Sequence, residues 1–204
     1  MWRGKTVVCI GGGPSLTQAQ VDHCKGRARV IAINDAYRLA PWADLLYFCD
    51  CRWWGDYGHG AKLKDWPGLI VRLQGGKHDF GDPRIKVMRN LNQHKGLAAE
   101  RDGLHTGQNS GYQAINLAVH LGAKKIVLLG YDMQASGAKT HWFGEHPIPT
   151  GRDVFDGMLP HFDSLVQPLA KLGIEVVNCT PGSRLKCFPA KPLDEVFPRA
   201  EVAA

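Results

Sequence analysis

Seven short apolar runs limit what this chain can fold into: "TVVCI", "ARVIAIN", "DLLYFCD", "GLIVRL", "RIKVM", "KKIVLLG" and "IEVVNC". Each is nearly continuous in aliphatic and β-branched residues, and helical stretches or loops separate them. A strand that is apolar on both sides needs cover on both sides, which a parallel sheet between two layers of helix supplies. The expected fold is α/β, a three-layer sandwich with a mostly parallel sheet. The segment "SGYQAINLAVHLGAKKIVLLGYDM" carries the clearest unit: Ala114, Leu117, Ala118 and Leu121 share one helical face, Gly122 offers a left-handed C-cap, and Ile126 to Leu129 begin a buried strand. A length of 204 residues, 44% apolar, suits one core. Residues 1–189 are read as that single domain and 190–204 as a peripheral tail.

Between the last two strands, the stretch from about Asp132 to Phe155 has no apolar periodicity and is rich in glycine and proline. It reads as a mobile, lid-like loop over one end of the sheet. The following "MLPHFDSLVQPLAKLG" reads as a helix interrupted or kinked at Pro168.

Ligands of open α/β sheets bind beyond the carboxyl ends of the strands, so the residues that follow each run are the candidates. After the first run comes the turn Gly11, Gly12, Gly13, Pro14, Ser15; after the second, Asn34 and Asp35; after the third, Asp50 and Arg52; after "KKIVLLG", Tyr131 and Asp132; after the last, Asn178, Thr180 and Ser183. The glycine turn does not follow G-x-G-x-x-G, because Leu16 occupies the third glycine's place. Pro14 suits a first helical residue, which would leave the amides of Ser15 and Leu16 and the Ser15 hydroxyl free for an anion. A plain strand-to-helix turn would use the same residues. "HTGQNSG" opens the long helix, with Asn109 or Ser110 as its N-cap and Gly111 behind.

Other chemistries find little footing. There is no G-x-x-x-x-G-K-[ST] and no G-x-S-x-G. His141 and His146 have no specific zinc spacing, and Asp50 and Asp132 are a possible Mg²⁺ pair or simply helix caps. The six cysteines include no C-x-x-C and read as reduced thiols. The aromatics of "CRWWGDYG" either stack on a base or sugar or cover the sheet. A net charge of +6 suits a phosphate-bearing ligand, but Lys and Arg form no run, so nucleic acid is a weaker expectation. No apolar run approaches the roughly 20 residues of a bilayer span and no secretory pattern opens the chain, so a cytoplasmic protein is expected, with homo-oligomerisation open.

"GGGPSL", "NSGYQAINLAVHLGAKKIVLLGYDM", "HWFGEHP" and "CTPGSRL" resemble, in that order, the bacterial CMP-sialic-acid sialyltransferases with one Rossmann-like domain. The first two also resemble a wider group with the motility-associated glycosyltransferase-like proteins and the archaeal 6-hydroxymethylpterin diphosphokinases. The resemblance implies a nucleotide site on the glycine turn, Asn34 and Ser110. It implies a loop general base where this chain has Glu145, with His146 next and His141 beside them. Three positions depart from the sialyltransferase pattern: Glu145 stands in place of the family's loop histidine, Gln134 replaces a tyrosine that helps the leaving phosphate, and Gly12 replaces an asparagine.

The implied activity is transfer from a nucleotide-sugar donor to a hydroxyl acceptor, a small molecule or a glycan, with no cofactor. In that chemistry the glycine turn, Ser110, and Arg52 or Lys139 would serve the phosphate. The alternatives are a Mg²⁺-dependent diphosphokinase of a pterin-like alcohol, with the metal on Asp50 or Asp132, and a non-catalytic nucleotide-binding module.

Overall fold

All seven apolar runs become strands in the computed structural model, which describes residues 2–76, 80–145, 151 and 154–199. They are β1 (Thr6–Ile10), β2 (Arg29–Ile33), β3 (Leu45–Phe48), β4 (Leu69–Leu73), β5 (Ile85–Asn90), β7 (Lys125–Leu129) and β8 (Glu175–Asn178), joined by the two-residue β6 (Gly103–Leu104). The helices are α1 (Gln18–Cys24), α2 (Cys51–Trp54), α3 (His59–Lys62), α4 (Ser110–Leu121), α5 (Val154–Lys171) and α6 (Leu193–Val196), with a 3-10 turn at Asn34–Arg38. One sheet holds all eight strands in the order β6-β5-β4-β3-β2-β1-β7-β8, and every pairing is parallel. The α/β three-layer arrangement is the one expected.

Alternation along the strands sorts the core into two layers. Val7, Cys9, Ile31, Tyr47 and Leu128 face α4 and α5, while Val8, Ile10, Val30, Ala32 and Leu129 face α1. At the far end of that second face Phe48 and Ile70 meet Trp53, Trp54 and Leu63 of the α2–α3 region. Trp54 stacks on Phe48 with centroids 4.9 Å apart, and Trp53 stacks on His59 at 4.3 Å. The tryptophans of "CRWW" therefore cover the sheet.

α4 is buried almost all round. Its outer side binds the preceding loop through two buried polar residues: Asn116 Oδ1 accepts from Ala98 N–H at 2.9 Å, and Gln113 donates to Thr106 O at 2.8 Å while accepting from Tyr47 OH. Gly122 closes the helix at φ 95°, the left-handed cap its sequence suggested.

α5 is one helix through both Pro160 and Pro168, anchored by Phe162, Leu165 and Leu169 on the core, so Pro168 does not interrupt it. Most described residues of the tail are exposed, and at its start residues 189–191 lie along the β8 edge with bonds from Asn178 N–H to Pro189 O and from Lys191 N–H to Asn178 O. Further on, Phe197 is buried against α1, and its carbonyl lies 2.6 Å from His23 Nε2.

Candidate functional site

The strands from β1 to β6 step across the sheet in one direction, and β7 returns to the other side of β1. Connections diverge at such a point and leave a crevice at the carboxyl ends of the two strands. A cleft of about 340 Å³ lies there. Its walls include Gly11, Gly12 and Gly13 after β1, Asn34 and Asp35 after β2, and Cys49 and Asp50 after β3. They also include Gln108 to Gly111 at the start of α4, and Tyr131, Met133 and Gln134 after β7. Ten expected site residues are thus brought together: Gly11, Gly12, Gly13, Asn34, Asp35, Asp50, Asn109, Ser110, Gly111 and His141.

The glycine turn is less open than its sequence suggests. Gly11 N–H donates to Leu129 O and Gly13 N–H to Gly130 O, while Ser15 N–H donates to Asp132 Oδ1 at 2.9 Å. This close approach needs glycine: a Cβ on Gly13 would sit 1.9 Å from Asp132 Oδ2, and one on Gly11 2.6 Å from Gly130 O. The anion met by the Ser15 amide is therefore the chain's own carboxylate. Burial pushes the Asp132 carboxyl above its usual range, and the Ser15 hydrogen bond only partly offsets this. Pro14 does not open a helix, because α1 starts at Gln18 behind a Thr17–Gln20 capping box. Pro14, Ser15 and Asp132 stand behind the cleft wall, not on it.

The start of α4 is also partly satisfied from within. Asn109 is the N-cap, and its Oδ1 accepts from Gly111 N–H at 2.8 Å and Tyr112 N–H at 3.2 Å. Among the described residues, the amides of Gly12 and Ser110 remain without an acceptor in the chain. The Ser110 hydroxyl lies 3.1 Å from Cys49 Sγ, and burial keeps that thiol above its ordinary pKa.

After β3, Asp50 caps α2 through Arg52 N–H at 2.9 Å and pairs with the Arg52 guanidinium at 3.1 Å. Asp35 accepts from Trp53 Nε1 at 2.7 Å. Asp50 and Asp132, the possible metal pair, do not face each other on the wall: Asp50 lines the cleft and Asp132 lies behind the turn. Among the described residues, no group of three or more His, Cys, Asp or Glu side chains is placed to hold a metal ion.

The expected lid is a folded strap over its described first half. Two tight turns, Ser136 to Lys139 and His141 to Gly144, are each closed by paired backbone bonds, and Trp142 N–H donates to Gly12 O at 3.1 Å. Arg38 stacks over Trp142 at 5.1 Å. His141 reaches the cleft with Nδ1 2.9 Å from Thr140 Oγ1, and its Cδ2 lies 3.1 Å from where a Cβ on Gly12 would stand. Gly12 thus makes room for the imidazole. Glu145 and Lys139 are exposed and off the wall, and His146 lies outside the described residues. Gln134 lines the cleft and donates to Gly182 O at 2.8 Å. Ser183 is structural: its hydroxyl donates to Tyr131 O at 2.6 Å and accepts from Asn178 and Leu185. Thr180 likewise accepts from Tyr131 N–H at 2.9 Å, and Asn178 is buried.

Backbone strain gathers at this cleft. Among the described residues, four non-glycines have left-handed φ, namely Asn34 (48°), Asn92 (54°), Gln108 (55°) and Met133 (52°), and all but Asn92 line it. Strain of this kind persists where the surroundings over-determine it, and it clusters at functional sites. Asn34 adds a buried Oδ1 with no partner among the described residues. The sequence reading missed Gln108, Met133, Phe143, Val154, Phe155 and Met158. Val154 to Met158 belong to the first turn of α5, where apolar periodicity is the available signal.

No protein-family model matches the chain, and no curated protein matches it in sequence. Among solved structures it is similar to the sialyltransferase CstII of Campylobacter jejuni, in complex with the substrate analogue cytidine-5'-monophosphate. The identity is 14% and the TM-score 0.56, over 94% of this chain and 86% of that one. Nothing in these comparisons supports the likeness to the pterin diphosphokinases. At this identity the match shows one thing: the chain has a sialyltransferase-like, Rossmann-like fold.

Proposed function

We propose that the chain is a group transferase, taking a nucleoside-monophosphate-linked sugar in the switch-point cleft and passing the sugar to a hydroxyl acceptor. The observation that carries this reading is the convergence of three strained non-glycine residues and the unpartnered Asn34 Oδ1 on one cleft. The fold shared with a sialyltransferase that binds cytidine-5'-monophosphate supports the donor class.

Charge favours a donor with one phosphate. Among the described residues the cleft wall carries Asp35 and Asp50, each paired with an arginine (Arg38 and Arg52), and no Lys or Arg of its own, which leaves little positive charge for the roughly four negative charges of ATP. The amides of Gly12 and Ser110, the Ser110 hydroxyl and the Gln134 amide are enough donors for a single leaving phosphate. His141 is the acceptor's base in this reading, since it reaches the cleft and Thr140 fixes its Nδ1. No metal is assigned a role.

Thermal shift with CMP against ATP–Mg²⁺ tests the donor class. Ligand at 100 times its Kd stabilises by about 2.7 kcal/mol, and CMP is expected to give the larger shift. With a CMP-sugar donor, His141→Asn is expected to lower kcat by about 10²-fold or more while CMP affinity holds. A stronger response to ATP–Mg²⁺ would replace this reading with the diphosphokinase.

A further inference from the structure

Along α5 the apolar residues Phe155, Met158, Phe162, Leu165 and Leu169 follow one helical stripe. Phe162, Leu165 and Leu169 are buried in the core, but the stripe does not end where the core does. Its first turn, with Val154, Phe155 and Met158 half-buried, lines the cleft instead. Phe143 from the strap and the strained Met133 after β7 add to that apolar lining. Three separate elements thus bring five apolar side chains into the lining of a small cleft that Asn34, Asp35 and Asp50 also line. Polar and apolar lining meet where Asn109 Nδ2 donates to Met158 Sδ at 3.2 Å, and where His141 stacks on Phe143 with centroids 5.0 Å apart.

We infer that the acceptor is an alcohol carried on an apolar body, aromatic or short-chain alkyl, which lies against Met133, Phe143, Phe155 and Met158. The inference rests on the donor reading of the cleft's polar lining. Ribose hydroxyls, a base edge and a phosphate seek the polar side, and a donor sugar needs hydrogen-bonding partners that five apolar side chains do not offer. The acceptor is the remaining reactant. His141, stacked on Phe143 at the seam, is placed to take the proton of its hydroxyl as the oxygen bonds to the sugar's anomeric carbon and the nucleoside monophosphate leaves.

Phenyl β-D-glucopyranoside and methyl β-D-glucopyranoside are the probes, titrated calorimetrically into the full chain without CMP and at saturating CMP. The phenyl compound is expected to bind about tenfold tighter or better, with that preference kept when CMP is bound. Phe155→Ser and Met158→Gln, made separately because either may perturb α5, are each expected to cut the phenyl preference several-fold. CMP affinity, and the melting temperature as a check on folding, should change little. Equal binding of the two glucosides, or a phenyl preference untouched by both substitutions in folded protein, would overturn the inference. Displacement of the phenyl compound by CMP would do the same, since the apolar wall would then hold the base. If CMP itself fails to bind while the phenyl preference stands, the donor reading falls and the apolar site remains.

Discussion

Asn34 joins a left-handed backbone to a buried, unpartnered Oδ1, so its fold cost and its binding role can be separated. Asn34→Gly removes both. The variant is expected to melt at the same or a higher temperature and to bind CMP more weakly, by calorimetry. Ser110→Ala is expected to lower CMP affinity by about 2- to 10-fold, the worth of a net hydrogen bond of about 0.5 to 1.5 kcal/mol, with stability kept. Asp132 makes a different case. Its carboxyl is raised by burial from an ordinary 3.8, so the folded state prefers it protonated. The stability this gives is complete below that ordinary value and is lost as pH rises through the raised one. Asp132→Asn keeps an acceptor for Ser15 N–H. Urea unfolding of the two proteins should therefore agree near pH 3 to 4 and diverge above it, with the Asn form the more stable at neutral pH. Equal pH profiles would show that Asp132 carries no such penalty.

At the scale of elements, the sequence disclosed what periodicity encodes and missed what depends on partners far along the chain. The seven runs and the α4 face with its Gly122 cap could be read because burial on both sides or on one stripe leaves a period in the residues. β6, two residues long, leaves none. The turn Gly11 to Ser15 was legible as a strand-to-helix turn, but Asp132, more than a hundred positions away, takes the Ser15 amide. The strap looked unpacked because its order comes from four-residue turns and one bond to Gly12 O, not from an apolar stripe. α4 offers a direct test of such distant pairing. Asn116→Leu would leave Ala98 N–H buried without its acceptor, at a cost of about 1 to 3 kcal/mol, read as a lower urea midpoint at unchanged slope.

Over the whole molecule, the described end of the chain reaches the core through one buried side chain. Phe197 closes the α1 face, and Arg27 donates to Pro198 O at 2.7 Å. Phe197→Ala is expected to cost about 3 kcal/mol, by the usual range for a buried aromatic, without altering CMP affinity because the cleft lies at another part of the sheet. Among the described residues, no helix is long and apolar enough to cross a membrane.

The pairing of β1 with β7 also sets a timetable for synthesis. Thr6 aligns with Lys125 and Ile10 with Leu129, so an interior strand of the sheet waits on the ribosome for a partner made more than a hundred residues after it. Until then β1 presents one bare edge of a strand whose Val7 to Ile10 are wholly apolar, the kind of surface on which nascent chains aggregate. The cleft is lined from the ends of both strands, so a chain that stops before β7 lacks part of that lining. Slow decoding ahead of Lys125 would lengthen that exposure.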